Sequence, residues 1–395
     1  MFLFGHCRNA FADSFTIVSP PRSALKRRWF GNPPKTRAPF YSRRTSEAEN
    51  DAASHRQLAA VKFARPGRYK GVDSFGAAKT MSENAKQAVF QALHDARRAL
   101  IPLLYQVTTM GPEYGDKVRD VAKVILACAK QDGDAALASI ILDNPFQYAV
   151  NHSFNTGIAA ALMAAKLDIA SDEIEPTVCG ALTMNLAIVA LLDTMASGAV
   201  NITPLQKMSI DSHNKLSHKT LGEKKIKNRE WLNTVMQHHE RPEGGGPLGM
   251  RGDTITAHAK LVGVCDRYCA ILAARAMRDA KAADTMLKFI VKSDAERDDT
   301  LAQIASAIGP YHPGTFVQLK NGEIAIVKRR GEDPTHPIVA SLGKQGGLSI
   351  DTSSERDTKE DACAIVEPLD MKLGYNKTKL CTLWGYDAPV TPPPS

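Results

Sequence analysis

The sequence predicts a mainly α-helical protein with a small β element near its C-terminal end. Between residues 83 and 308, apolar residues recur every three or four positions, which is the spacing of amphipathic helices. After Pro310 the pattern changes to alternation, which is typical of half-buried strands. Two alternating segments flank Asn321 and Gly322, a strong signal for a hairpin. The predicted fold class is therefore a helical bundle with a small C-terminal β-hairpin element.

Each predicted helix has its own apolar face, as the first one does at Val89, Leu93 and Leu100. Breaks between helices fall at turn-forming dipeptides such as Asn144-Pro145. The helices are predicted at Glu83–Leu104, Val118–Lys130, Ala135–Leu142, Ala149–Leu167, Ile174–Leu192, Thr203–Leu221, Glu230–His239, Thr256–Arg278 and Asp284–Ala307.

The β element begins with two strands, Phe316–Lys320 and Glu323–Val327, which the Asn-Gly turn joins. Two further alternating segments, Pro337–Ala340 and Leu348–Ile350, are predicted to add strands. A sheet of this size can pack one face against the helical bundle.

Composition and periodicity divide the chain into four predicted parts. Residues 1–80 form a basic tail without apolar periodicity, and residues 81–135 an N-terminal helical segment. Residues 136–308 form the main helical domain, and residues 309–390 the β-containing element.

The basic residues of the chain are concentrated in the tail. Residues 1–80 contain 15 Lys and Arg against 5 Asp and Glu, and the whole chain has a net charge of +8, so the remaining 315 residues sum to −2. A nucleic-acid-binding fold is therefore not indicated. Three interpretations of the tail stay open: a disordered segment, an organelle transit peptide, or an upstream start with Met81 as the true one.

The longest apolar runs, such as Leu186–Leu192, are shorter than a bilayer span, so no transmembrane segment is expected. The seven cysteines contain no Cys-x-x-Cys pair and no regular spacing. This pattern suits a reducing compartment, and the predicted localisation is cytoplasmic.

A metal-site pattern dominates the helical region. Two adjacent histidines, His238 and His239, are followed by Glu240, a glycine-rich turn and, on the next predicted helix, Asp266. One helix cannot surround an ion, so ligands must come from several, with imidazoles for a transition metal and a carboxylate to balance its charge. Two further histidines, His152 and His213, lie on earlier predicted helices.

The order and spacing of these residues resemble the HD-GYP family, bacterial metal-dependent phosphodiesterases of the HD phosphohydrolase superfamily that act on cyclic di-GMP. The resemblance covers about residues 115–345 and implies an HD-type helical bundle. It implies five candidate metal ligands: His152 as the first, His213 as the next, His238 and His239 as the paired histidines, and Asp266 as the last carboxylate. It also places two cations, Arg275 and Arg278, against substrate phosphates.

The sequence departs from the family pattern where the His-Asp dyad is expected. Met184 and Asn185 occupy the two dyad positions, and Ile188 replaces the following Lys. Gly246 meets Pro247 directly, so the Tyr of the Gly-Tyr-Pro segment is absent. The resemblance then implies that one half of a two-metal site has been stripped of ligands, while the other half keeps three histidines. The expected cofactor is either one Fe, Mn or Zn ion or none.

The other histidines are predicted to have no part in this site. His94 precedes His152 and, with Asp95, lies beside Arg97 and Arg98, so this pair is interpreted as a solvated helix face rather than the dyad. Surface or packing positions are also predicted for His218, His258 and His312.

Three functions follow from these observations. The first is a degenerate HD-GYP-type signalling protein with weak or lost phosphodiesterase activity, which binds a cyclic dinucleotide or a signalling protein. The alternative is an active metal-dependent phosphodiesterase. The third is nucleic-acid binding through the tail, which only its charge supports; no specific nucleic-acid partner is expected. Whether the chain is an enzyme, and whether it forms a homodimer, is left open at this point.

Overall fold

The computed structural model describes residues 89–164, 169–198, 202–277, 308–369 and 377–387; it does not describe the side chains of residues 274–277 and 377–378. The helices are α1 Val89–Tyr105, α2 Tyr114–Gln131, α3 Gly133–Leu142, α4 Tyr148–Ala164, α5 Ile174–Thr183, α6 Val189–Ala196, α7 Pro204–Glu223, α8 Arg229–Gln237 and α9 Ala257–Met277. The mainly helical fold class is confirmed. The predicted helix Asp284–Ala307 lies outside the described residues.

One predicted helix, Ile174–Leu192, is wrong as a single element. It is broken after Thr183, where α5 ends, and a 3-10 turn at Leu186–Ile188 precedes α6. The Ala187 amide in this turn donates to Ser217 Oγ at 3.0 Å, a hydrogen bond to a distant helix. The break is thus stabilised by a tertiary contact that apolar periodicity does not reveal.

Helix α4, which carries His152, lies at the centre of the bundle. It packs against α5 and α9 and also contacts α1, α2, α3 and α6. Nearly all of its residues are buried, which suits its small and apolar composition. A Cβ at Gly157 would stand 3.4 Å from side chains of both Ile125 and Leu182, so the backbone of α4 packs tightly against its neighbours.

Helix α7, which carries His213, and helix α8, which leads to His238 and His239, both begin at well-formed caps. Thr203 and Gln206 form a capping box at the start of α7, with Pro204 in the first turn. The side chain of Asn228 accepts from the Trp231 amide at the start of α8. Trp231 is buried and donates through its indole to Thr183 Oγ1 at 2.8 Å, which fixes α8 against α5.

The predicted hairpin is confirmed and belongs to a larger sheet. The strands are β1 Phe316–Leu319, β2 Glu323–Arg329, β3 Ile338–Lys344, β4 Ser354–Asp357 and β5 Ile365–Leu369. They form an antiparallel sheet in the order β4-β3-β2-β1-β5. Gly322 in the turn has a φ of 85°, a conformation that favours glycine.

The strand predicted at Leu348–Ile350 is wrong, although the Ser349 amide still bonds to Leu342 O at 2.8 Å. The sequence analysis missed β4, whose four residues are all polar, and β5, which follows a 3-10 turn. The sheet packs on α3, where Arg330 Nε pairs with Asp134 Oδ1 at 2.5 Å.

By length and hydropathy alone the segment Ile174–Ala196, which the fold divides between α5 and α6, could cross a bilayer. However, 72% of its most apolar window is buried inside the fold. This burial is what a core helix of the bundle requires.

Candidate metal centre

Three imidazoles meet where α7 and α8 approach each other. His213 lies on α7, His238 caps the C-terminal end of α8, and His239 follows it. The Nε2 atom of His213 lies 3.3 Å from Nε2 of His238 and 3.1 Å from Nε2 of His239. These ligand atoms all lie within 4.8 Å of one another. We call this group the histidine triad.

The backbone decides which nitrogens of His213 and His238 hold lone pairs. His213 Nδ1 lies 2.6 Å from Ile210 O, and His238 Nδ1 lies 2.8 Å from Val235 O. A carbonyl oxygen can only accept, so both Nδ1 atoms must carry the proton. In the neutral rings the Nε2 atoms then have lone pairs that face each other and cannot bond to each other. A cation between them removes this repulsion.

The spacing and the charge state of the triad both fit a metal ion. Ligand atoms about 2.1 Å from a tetrahedral ion lie about 3.4 Å from each other, close to the separations observed here. Burial lowers the pKa of His213, and burial together with neighbouring imidazoles lowers the pKa of His238 to about 4. The same causes hold the pKa of His239 well below its ordinary value. The imidazoles are therefore neutral near pH 7, as metal ligands must be.

Asp266 on α9 stands beside the triad and bonds to His152 on α4. His152 Nε2 lies 2.7 Å from Asp266 Oδ1, and both side chains are buried. Burial alone would raise the pKa of Asp266, but the hydrogen bond from His152 and the neighbouring imidazoles hold it well below its usual range. The structure therefore brings together all five residues that the sequence analysis selected as ligands.

A glycine lets α9 come close enough to place Asp266. A Cβ at Gly263 would stand 2.3 Å from the carbonyl oxygen of His238. The end of α8 is also tied to α7, because Asn214 Nδ2 donates to Met236 O at 2.8 Å. These contacts position Asp266 and the paired histidines relative to each other.

The loop after the paired histidines closes around Glu240, whose function sequence reasoning did not assign. Glu240 is buried, and its two carboxylate oxygens accept from the Leu248 amide at 2.8 Å and the Met250 amide at 2.7 Å. A Cβ at Gly246 would stand 2.5 Å from Glu240 Oε1, so the loop can wrap this tightly only around a glycine. The available sequence signal was an acid between a ligand pair and a glycine-rich turn.

A similarity to one known protein agrees with the family that the site residues resemble. No protein-family model matches this chain. Over 265 residues the chain is 21% identical to the cyclic di-GMP phosphodiesterase PA4108 of Pseudomonas aeruginosa. The resemblance to the HD-GYP family is confirmed.

The match to that HD-GYP relative covers 66% of this chain and 61% of the relative, so the chain spans less than two thirds of the relative's length. Among solved structures the chain is similar to Bd1817, a HDG"Y"P protein from Bdellovibrio bacteriovorus, with 15% identity and a TM-score of 0.47. That similarity covers 67% of this chain and 81% of the other.

Met184 and Asn185, which the HD-GYP resemblance aligns with the dyad, lie at the break between α5 and the 3-10 turn. Both are buried. Neither amide atom of the Asn185 side chain has a hydrogen-bond partner among the described residues. A buried amide without a partner costs free energy, and within the described part of the chain this one stands where the resemblance places the Asp of the dyad.

The structure does not describe the side chains of the two arginines that are expected to face substrate phosphates. Arg275 lies in the last turn of α9, but its side chain is outside the described residues, and Arg278 lies outside them altogether. Their role as phosphate contacts stays a prediction.

The interpretation of His94 and Arg97 as a solvated face is wrong, because both are buried. His94 Nδ1 lies 3.1 Å from Asp143 Oδ1, and Arg97 donates to Asp143 Oδ2 and to Asn155 Oδ1, each at 2.9 Å. Asp95, in contrast, pairs with a half-exposed Arg98 at 2.9 Å. The sequence could not reveal the burial, since Asp143 comes from a distant turn.

Proposed function

We propose that this chain is a degenerate HD-GYP-type signalling protein of the cytoplasm, with weak or lost hydrolysis of cyclic di-GMP. It acts by binding a cyclic dinucleotide or a signalling protein. The observation that carries the proposal is the pairing of a complete histidine triad with Met184 and Asn185 at the dyad positions. One half of the family's site is preserved and the other half is not.

Efficient catalysis by two metal ions would need more ligands and more negative charge than this site offers. Two divalent ions need several anionic or imidazole ligands, including a carboxylate that can bridge them. In the half of the site that has lost the dyad, only His152 and Asp266 remain as candidate ligands. These two side chains are hydrogen-bonded to each other at 2.7 Å. Asn185 offers a neutral oxygen in place of a carboxylate, and Met184 a thioether that suits softer metals.

The preserved half fits one ion. His213, His238 and His239 would hold one Fe, Mn or Zn ion, with Asp266 supplying the nearby negative charge. Such an ion supplies Lewis-acid activation of water and of a phosphoryl oxygen when bound. The protein's own contribution is to leave the Nε2 lone pairs of His213 and His238 free beside His239 and to keep Asp266 ionised.

The same geometry favours a second candidate, an active phosphodiesterase with altered ligands. Neutral, tetrahedrally spaced imidazoles beside an ionised carboxylate are what a single-metal hydrolase needs. Purified protein saturated with Mn or Fe but inert toward cyclic dinucleotides and generic phosphodiesters would remove this candidate.

The deciding experiment measures binding and turnover of cyclic di-GMP together. For the natural chain we expect binding by calorimetry with turnover far below about 1 per second, the lower end for enzymes. Met184→His/Asn185→Asp should gain a second metal equivalent and faster hydrolysis, whereas Met184→Leu/Asn185→Leu should gain neither. Turnover of about 1 per second or more by the natural chain overturns the proposal.

A further inference from the structure

Helix α7 packs on fewer elements than the central helix α4 does. Its main contacts are with α8 and with the 3-10 turn at Leu186–Ile188. Its buried side chains lie on one side of the helix and include a member of the histidine triad: His213, Asn214, Ser217 and Leu221. The opposite side of α7 is exposed along the part of the chain that the structure describes.

The exposed side of α7 carries five residues at alternating intervals of three and four positions. This spacing brings side chains to one face of a helix. The five residues, which we call the α7 stripe, are Leu205, Met208, Ser212, Lys215 and Lys219. At a rise of 1.5 Å per residue the stripe is about 21 Å long.

The first turn of the stripe leaves two apolar side chains in contact with solvent. Met208 is 62% exposed and Leu205 is 37% exposed. Within the described residues one other large apolar side chain is exposed, Val366, at 61%. Exposed apolar side chains one turn apart on a helix that also presents lysines are typical of a helix that lies on a membrane surface.

The far end of the stripe leads into a strongly basic stretch. Residues 215–229 contain six Lys and Arg and one Glu, which gives this stretch a net charge of +5. Because residues 81–395 sum to −2, the rest of that region sums to −7. Positive charge is thus concentrated at one place on a molecule that is otherwise acidic outside its tail.

Most of these cations are exposed and lack an acidic partner. Among the described residues this holds for Lys215, Lys219, Lys225, Lys227 and Arg229. Lys224, in contrast, donates to Met110 O at 2.7 Å, and Lys207 earlier on α7 pairs with Asp211 at 2.7 Å. The unpaired cations therefore need a counter-charge from outside the chain.

Charge complementarity favours an anionic lipid surface as the source of that counter-charge. A bilayer with acidic headgroups attracts clustered Lys and Arg, and its interface accepts apolar side chains from the same face of a helix. The α7 stripe and the basic turn that follows it supply both. A protein partner would in addition need a matching shape.

We propose that the α7 stripe and the basic turn at residues 224–229 dock this protein on an anionic membrane surface. Leu205 and Met208 enter the interface, while the unpaired cations contact the acidic headgroups. His213 lies on the buried side of the same helix, so docking would hold the metal centre about 10 Å, one helix diameter, from the lipid. The docking does not rest on the function proposed for that centre.

The test is co-sedimentation of the full chain with vesicles of mixed phosphatidylglycerol and phosphatidylcholine, and with vesicles of phosphatidylcholine alone. Each Lys near an anionic bilayer strengthens binding by roughly fivefold, so Lys215→Gln/Lys219→Gln should weaken binding to the anionic vesicles roughly tenfold or more. Lys320→Gln/Lys359→Gln is the matched control, because it removes two lysines that are 56% and 47% exposed and lie near the sheet. The control should bind as the natural chain does.

A second pair of variants tests the apolar contact. Met208→Gln should weaken binding to the anionic vesicles, whereas Val366→Gln, at an equally exposed position on β5, should not. Every variant keeps the basic tail, so the charge of the tail cannot produce a difference between them. Circular dichroism and metal content check that each variant keeps its fold and its triad.

Three results would overturn the proposal. One is a natural chain that does not bind the anionic vesicles, or binds phosphatidylcholine alone equally well. Another is equal binding by the two double-lysine variants, which would assign the attraction to overall charge or to the tail. The third is unchanged vesicle binding with an altered oligomeric state in Lys215→Gln/Lys219→Gln, which would assign this face to a second copy of the chain. None of these results bears on cyclic di-GMP binding or turnover, so a failure here is distinct from a failure of the proposed function.

Discussion

Gly263 on α9 faces the carbonyl oxygen of His238 so closely that a Cβ at this position would stand 2.3 Å from it. The obstacle is backbone, which cannot rotate away as a side chain does. The absence of a single methyl group thus decides how near the helix of Asp266 comes to the helix end that presents the paired histidines.

Gly263→Ala should therefore separate α8 from α9. We expect the free energy of unfolding to fall by about 1–3 kcal/mol, as for other overpacked sites, and zinc binding to the triad to weaken. Denaturant unfolding and zinc titration measure the two effects. Gly222→Ala on α7 is the control, because nothing lies within 4 Å of its Cβ position, and alanine there should be neutral or stabilising. Equal stability and equal zinc affinity of the two variants would show that the close approach at Gly263 does not matter.

The metal-free protein should lose stability as the solution becomes mildly acidic. Burial lowers the pKa of His238 from 6.5 to about 4, so the unfolded chain takes up a proton at a pH where the folded one does not. This stabilisation is complete above about pH 6.5 and is lost as the pH falls toward 4, by up to about 3 kcal/mol for this group. Urea unfolding in chelator at pH 7.5 and 5 measures it. An identical pH dependence in His238→Asn would show that another group is responsible.

A feature of this molecule could be predicted from the sequence when the residues that determine it lie close together in the chain. The resemblance to the HD-GYP family selected His152, His213, His238 and Asp266 as candidate ligands, and the fold brings these residues together from four helices or helix ends. The break at Asn185 was missed because Ser217, from another helix, supports it.

The same reason explains the wrong interpretation of Arg97 and the missed strand β4. Arg97 looks solvated in sequence, since its partners Asp143 and Asn155 come from elsewhere in the chain. The four residues of strand β4 are all polar, so they show no alternation of apolar and polar positions. Backbone pairing with β3 places them in the sheet, and their own sequence does not indicate a strand.

The buried network of Arg97 should be far more important for stability than a surface pair on the same helix. Arg97→Met leaves the Asp143 carboxylate buried beside His94 without its permanent charge partner, which should cost about 3–5 kcal/mol. Arg98→Met breaks the half-exposed pair with Asp95 and should cost about 1 kcal/mol or less. Thermal and urea unfolding compare the two. Similar losses would mean that Asp143 finds another partner.

Glu240 should hold the loop that follows the paired histidines. Glu240→Gln replaces one acceptor oxygen with an amide nitrogen that cannot accept, so the Leu248 or Met250 amide loses its partner. We expect faster hydrogen exchange at these two amides, together with weaker binding of cyclic di-GMP if the loop contacts the ligand. Glu243→Gln, an exposed substitution in the same loop, should leave the exchange unchanged. Protection of Leu248 and Met250 that survives Glu240→Gln would show that the loop is closed by its glycines alone.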